Sequence, residues 1–190
     1  EFFYNDANRL KQVNTGNAGS TTVLGTYVYN GFGEQVQRQT DATTQFVYDE
    51  VGQLLGQYDV SGTPIQEYIW MGGVPVGVFT TTAGRGGAAS TIVLNYVESD
   101  ALGTPRAVID PTQQKAIWRW DESKEAFGDH APNTDPDGDA IQFLFDLRFA
   151  GQRYDATTGM YYNYQRDYDP SVGRYTQSDP IGLEGGISAY

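Results

Sequence analysis

The sequence is 190 residues long with a formal net charge of −12 and a pI near 4.3. No run of Lys or Arg is long enough to follow a phosphate backbone, so nucleic acid is repelled rather than gathered. No apolar stretch approaches the roughly 20 residues that a membrane-spanning helix needs, and the absence of Cys removes disulfides, thiolate nucleophiles and Cys-type zinc sites together.

Hydrophobic residues make up only 39% of the chain while aromatics reach 14%, with 14 Tyr and 23 Gly. Aromatic and β-branched residues fit a pleated, half-buried surface, and Gly marks its turns. The expected fold is all-β, built of repeated antiparallel hairpins with very little helix. The first residues, EFFYNDANRL, lack the basic and then apolar plan of a signal peptide. The chain opens without Met in the middle of a repeat, so it is read as a piece of something longer.

Residues 1–80 carry that repeat. Phe3-Tyr4-Asn5-Asp6-Ala7-Asn8-Arg9-Leu10 is followed by Tyr27-Val28-Tyr29-Asn30-Gly31-Phe32-Gly33-Glu34-Gln35-Val36 and by Phe46-Val47-Tyr48-Asp49-Glu50-Val51-Gly52-Gln53-Leu54-Leu55. Each copy reads as strand, turn, strand: a Tyr-Asx step ends one strand, and a following Asn or Gly supplies the positive φ of a tight turn. Tyr4 and Tyr29 are 25 residues apart and Tyr29 and Tyr48 are 19, close to a two-strand repeat of about 20 residues. A degenerate fourth copy starts at Tyr68-Ile69-Trp70, turns at Met71-Gly72-Gly73 and returns through Val74-Pro75-Val76. Pro75 cannot donate to a ladder and belongs at a strand start or an edge.

Residues 81–148 read as connecting hairpins. Thr80 to Ser90 is a glycine-rich loop, and Gly84 to Gly87 has no strand-to-helix context that would make it a phosphate cradle. Leu102-Gly103-Thr104-Pro105 is read as a turn with a fixed Pro φ, and the next hairpin turns at Asp110-Pro111. Alternation over Ala116 to Asp121 places Trp118 and Trp120 on an inner face and Arg119 and Asp121 outside. Two patches here resemble sites. Asp135, Asp137 and Asp139, with Asp146 in the closing position, resemble a calcium loop, but Ala140 stands where Gly is required, and a solvated turn is the alternative reading. His130, the only His, lies in a polar loop and is read as an exposed loop residue.

Residues 149–190 are the most specific stretch, with turn pairs at Thr158-Gly159, Asp169-Pro170, Val172-Gly173, Asp179-Pro180 and Gly185-Gly186 between aromatic strand formers. Trp118, Trp120, Tyr161, Tyr164 and Tyr168 are the expected aromatic core. GQRYDATTGMYYNYQRDYDPSVGRYTQSDPIGL resembles the core signature of bacterial Rhs/YD-repeat proteins, which include the C components of insecticidal Tc toxins; the Tyr-Asx copies resemble their YD repeats. The resemblance implies a curved, hollow β-hairpin shell around a C-terminal toxic domain, with residues 149–190 turning inward as a plug. It also implies a secreted bacterial effector exported by a dedicated secretion system such as type VI. The implied partners are the remainder of the shell and its toxin domain, with a secretion-system spike, an adaptor or an immunity protein beside them; no cofactor is implied.

The same resemblance implies a self-cleaving aspartyl protease. In those members an Arg in R-x-Y-D-P precedes an Asp in S-x-D-P by 13 residues. Arg166-Asp167-Tyr168-Asp169-Pro170 and Ser178-Asp179-Pro180 keep that spacing, which makes Arg166 and Asp179 the catalytic candidates. Carboxylate proteolysis needs two carboxyl groups in different protonation states, with a cation nearby to keep them apart. The second carboxylate is implied from a later Asp-Pro-x-Gly motif, past Tyr190 and distinct from the Asp179-Pro180-Ile181-Gly182 run. Asp169, also before Pro, reads as turn initiation. Two other functions stay open: a carbohydrate or cell-surface binding module using exposed Tyr and Trp, and an independent enzyme.

Overall fold

The computed structural model describes residues 1–16, 21–82, 91–121, 127–149 and 151–185. Eleven strands pair strictly in sequence order in one antiparallel sheet. They are β1 (Phe2–Tyr4), β2 (Leu10–Asn14), β3 (Val23–Tyr29), β4 (Gln35–Gln39), β5 (Thr43–Tyr48) and β6 (Leu54–Tyr58), followed by β7 (Pro64–Met71), β8 (Val74–Thr82), β9 (Thr91–Ser99), β10 (Pro105–Asp110) and β11 (Lys115–Arg119). A second sheet holds β12 (Arg153–Asp155), β13 (Met160–Asn163), β14 (Arg166–Asp169) and β15 (Arg174–Tyr175). The helical content described is one 3₁₀ turn, Gly182–Gly185, so no helix among the described residues is long and apolar enough to cross a membrane.

One five-residue turn recurs at Asn5–Arg9, Asn30–Glu34, Asp49–Gln53, Asp59–Thr63 and Asp100–Thr104. In each, the first and fifth residues pair through the backbone, and the first side chain accepts hydrogen bonds from the N–H groups of the third and fifth. An Asx side chain does this because its carbonyl oxygen mimics the next backbone acceptor. The fourth residue must take a left-handed φ, as Gly33 (89°) and Gly52 (82°) do. The sequence reading found three of these turns and missed that Asp59 and Asp100 make the same one. It also placed Pro105 in a turn, whereas Pro105 opens β10 and the turn is closed by Asp100 and Gly103 (φ 79°).

Pro75 lies one residue into β8, paired with Trp70, where its missing donor interrupts the ladder least. Thr80, Thr81 and Thr82, read from sequence as loop, continue β8 in register with Val93, Ile92 and Thr91, the β-branched pairs a strand favours. Gly84 to Gly87 lie outside the described residues.

Inward-facing residues Phe46, Leu54, Tyr68, Val78, Val97, Val108 and Trp118 form a belt across β5 to β11, closed from the other side by Phe145, Leu147 and Tyr161. A flat sheet would hold β2 and β11 roughly 40 Å apart, nine steps of about 4.8 Å. Yet neighbouring residues of β13 reach both flanks: Met160 packs with Leu10, Val13 and Tyr27, and the Tyr161 ring lies 6.2 Å from that of Trp120. The eleven-stranded sheet therefore curls around the four-stranded one, consistent with the right-handed twist that accumulates across strands.

Tyr154, Tyr161, Tyr168 and Tyr175 stand opposite one another on β12 to β15, with successive ring centroids 5.8, 6.0 and 5.7 Å apart. The expected aromatic core is present at Trp118 and Trp120, 0% and 5% exposed, and at Tyr161. Tyr164 departs from it. It sits at the β13–β14 turn with φ 54°, is 46% exposed, and donates its hydroxyl to the Phe32 carbonyl. Tyr162, adjacent to Tyr161 and pointing to the opposite face, is buried instead, with its hydroxyl accepting from the Gln35 N–H.

Beside the Trp pair, buried Arg148 lies with its guanidinium 5.1 to 5.9 Å from the rings of Trp118, Trp120, Tyr154 and Tyr161, and it donates to the carbonyls of Phe145 and Leu147. A planar, weakly hydrated cation is the charged group best suited to such an aromatic enclosure.

Candidate functional site

Arg166 is the first residue of β14, paired with Asn163 across the β13–β14 turn. The β14–β15 hairpin is closed by Asp169, whose carboxylate accepts from the Ser171 N–H at 2.9 Å and from the Ser171 hydroxyl at 2.6 Å. This is the turn-initiating role read from the sequence. After β15, Thr176 and Gln177 run back beside Asp167, and the next turn starts at Asp179. Its Oδ1 accepts from the Ile181 N–H at 3.0 Å, and the Gly182 N–H bonds to its carbonyl at 2.9 Å.

These turns bring Arg166 and Asp179 together. Arg166 Nη1 lies 3.1 Å from Asp179 Oδ2, with each side chain about one-fifth exposed, and the guanidinium sits 3.8 Å over the Tyr175 ring. One carboxylate oxygen is thus fixed by the backbone and the other by the cation. The Asp179 side chain is not fully buried, the condition for a carboxylate that is to meet water or a chain segment. Tyr175 restrains the guanidinium from its face, leaving its edge to the carboxylate.

The neighbouring residue, Asp167, points the other way and is 7% exposed. Its carboxyl accepts from Gln177 Nε2 at 2.7 Å. Burial, reinforced by the nearby Asp155 charge and opposed by Gln177 and Arg153, raises its pKa to about 6. A carboxyl that holds its proton more tightly when folded contributes stability that is complete below its unfolded pKa, about 3.9, and is lost as pH rises through 6. Between pH 4 and 8 this should amount to about 3 kcal/mol. Asp167→Asn should flatten the fall, which urea-denaturation midpoints of the two proteins at several pH values would show. An unchanged slope would exclude Asp167 as its source.

The other candidate patches resolve differently. Asp135, Asp137 and Asp139 offer carboxylate oxygens within 4.8 Å of one another. Asp135 caps the N–H groups of Gly138, Asp139 and Ala140, and Asp139 caps that of Ile141, the hydrogen bonds of an Asx turn. Asp146, the expected closing ligand, is absent from this group and faces Arg38 at 3.9 Å. His130 is not an exposed loop residue: its ring packs 5.7 Å from Trp120, and among the described residues neither ring nitrogen has a partner. The hydrophobic demand of the Trp120 face outweighs the polar character of the surrounding loop.

The sequence reading missed Asp167, Gln177, Arg148 and Arg153. Arg153 is buried with its guanidinium 3.4 Å over Phe46, donating to Gln35 and, at 3.1 Å, to the Tyr48 hydroxyl. Periodicity supplies the one available signal, since Asp167 alternates with Tyr168 on β14 and must face inward if Tyr168 joins the tyrosine row on the other side.

No family model matches the chain. It is 28% identical over its whole length to the probable deoxyribonuclease RhsA of Dickeya dadantii (strain 3937), of which it covers 12%. It is 39% identical over half its length to the double-stranded DNA deaminase toxin A of Burkholderia cenocepacia (strain H111), covering 6% of that protein. The crystal structure of TcdB2–TccC3 without the hypervariable C-terminal region matches the fold over the entire chain, with a TM-score of 0.62, 20% identity and 9% of that structure covered. The chain thus spans a small fraction of the length of the proteins it matches.

Proposed function

From a chain that belongs to the Rhs/YD-repeat toxin family, matched over part of the relatives' length, we propose the following role: the closing stretch of an Rhs core, a section of β-shell that houses a C-terminal toxic domain and contributes to its release by self-cleavage. Residues 1–80 supply wall, 81–148 lead into the core, and 149–190 form the plug. The observation that carries this reading is the curl of eleven strands around an inner four-stranded sheet. Such curvature encloses space when more hairpins extend it. In the longer protein the partners are the remaining shell and the toxin domain, with a spike, adaptor or immunity protein at its surface. The whole is a secreted bacterial effector.

For cleavage, Arg166 and Asp179 form one half of an aspartyl-type site, and a carboxyl from a later Asp-Pro-x-Gly motif forms the other. The ionised carboxylate takes a proton from water as the water oxygen bonds to the scissile carbonyl carbon. The protonated one gives its proton to the amide nitrogen as the C–N bond breaks, so one water is consumed per bond. Arg166 balances the charge on Asp179, and the turn at Ile181 aims its carboxylate. The substrate bond belongs to the same polypeptide, so the reaction is a single turnover.

Enclosure predicts that the native full-length protein elutes as one particle but separates into pieces on a denaturing gel, and that added protease leaves the C-terminal piece intact until the particle is unfolded. Digestion of that piece at the rate of the free domain would exclude encapsulation. The sugar-binding alternative loses the tryptophan part of its platform, because Trp118 and Trp120 are buried and Trp70 is partly buried with its indole N–H bonded to the Leu54 carbonyl, and keeps the exposed Tyr4, Tyr96 and Tyr164.

A further inference from the structure

We infer that Gln177 is a positioning residue for the Arg166–Asp179 pair, acting through a side-chain clip to Asp167; this rests on the protease reading above. The paired ladder between β14 and β15 ends at Tyr168↔Tyr175. Beyond it, a single backbone bond from the Thr176 N–H to the Asp167 carbonyl continues the join, and the Gln177 amide supplies the partner of the Asp167 N–H. Its Oε1 accepts from the Asp167 N–H at 2.7 Å and its Nε2 donates to Asp167 Oδ2 at 2.7 Å. Thr176 reinforces the join, its N–H and hydroxyl reaching the Asp167 carbonyl at 2.8 and 3.1 Å and its hydroxyl the Gln177 Oε1 at 2.8 Å.

Asp167 follows Arg166 directly, and Gln177 precedes Asp179 by two residues. Clipping one to the other fixes the separation of the ion pair, although neither clip residue touches it. Gln177 is 4% exposed and Asp167 7%, so water cannot stand in for the lost bonds. A carboxamide of this length donates and accepts at every pH, whereas a carboxyl of the same length can donate only when protonated. Positioning of this kind governs rate, since a misplacement of about 1 Å costs on the order of 100-fold.

The electrostatic surroundings of Asp167 set the design of the test. Tyr4 from β1, Tyr27 and Tyr29 from β3, Arg153 and Asp155 from β12, and Gln177 itself interact with or surround it. Gln177→Glu removes the donor and sets a second carboxylate against Asp167. Two carboxyls in contact share one proton when the pH is low enough, which restores a bond. The full-length protein, made in a short cell-free pulse and chased at pH 5 to 8, is followed on denaturing gels, with each variant rate divided by the wild-type rate at the same pH. Gln177→Ala should process at least tenfold slower than wild type at every pH. Gln177→Glu should be as slow at pH 8 but recover at least tenfold by pH 5. If Gln177→Ala fails to fold, the Gln177→Glu ratio decides alone. Gln177→Ala within twofold of wild type, or a Gln177→Glu ratio that does not change with pH, overturns the inference while Asp179→Asn remains unprocessed. Processing by Asp179→Asn would remove the protease reading itself and this inference with it.

Discussion

On the self-cleavage reading proposed above, Asp179→Asn should leave the full-length protein as a single band after denaturation, where wild type should give two. The amide keeps the shape of the carboxyl, and its oxygen can still accept from the Ile181 N–H that now bonds Oδ1 at 3.0 Å. It can neither ionise nor move a proton, so the turn survives and the chemistry stops. Arg166→Ala should slow or stop processing by another route, since removing the cation 3.1 Å from Oδ2 leaves nothing to distinguish the two carboxyls of the site. Asp169→Asn supplies the contrast. Its carboxylate is engaged by Ser171 in closing the β14–β15 hairpin, and an Asn caps that turn nearly as well, so processing should continue near the wild-type rate. Two bands from Asp179→Asn would eliminate the assignment.

Trp120→Ala should destabilise the fold by about 3 to 5 kcal/mol, the range for deleting a large aromatic from a packed site. The indole touches Tyr161 edge-on at 6.2 Å, lies 5.2 Å from the Arg148 guanidinium and 5.4 Å from that of Arg106, and donates its N–H to the His130 carbonyl at 3.0 Å. Truncation empties the space between the two sheets, removes one wall of the Arg148 enclosure and frees the His130 ring on its other side. For a chain of this length the thermal midpoint should fall by roughly 10 °C. An unchanged midpoint would mean that the Trp face carries no packing energy.

The hairpins are legible in the sequence because their signals are local. An Asx and a Gly three residues apart carry the turn, and period-2 alternation puts Trp118 and Trp120 on one face without knowledge of what covers it. Even so, the Asp100 turn hides behind a proline that belongs to the next strand. The Arg166–Asp179 pair is legible through wording, since spacing along the chain does not say that two turns will fold back to 3.1 Å. What covers the inner face is not legible. Arg148 and Arg153 look like ordinary surface cations until four rings and a phenylalanine are seen around them, and Gln177 looks like a polar loop residue until Asp167 is opposite. Tyr164 fails for a related reason: the Met160–Tyr168 stretch is so rich in tyrosine that composition cannot say which one occupies the turn.

The recurrent Asx turn has a bearing on how such a sheet changes size. Each turn is completed within five consecutive residues, by its own first side chain, so the backbone geometry of one hairpin makes no demand on the next. Loss or gain of a whole strand pair restores the same alternation and the same up-and-down direction, whereas loss of a single strand would invert both. The number of hairpins is then a free variable, whereas the parity of the strand count is not. Recombination between copies can therefore widen or narrow the sheet in steps of about 10 Å, the width of two strands.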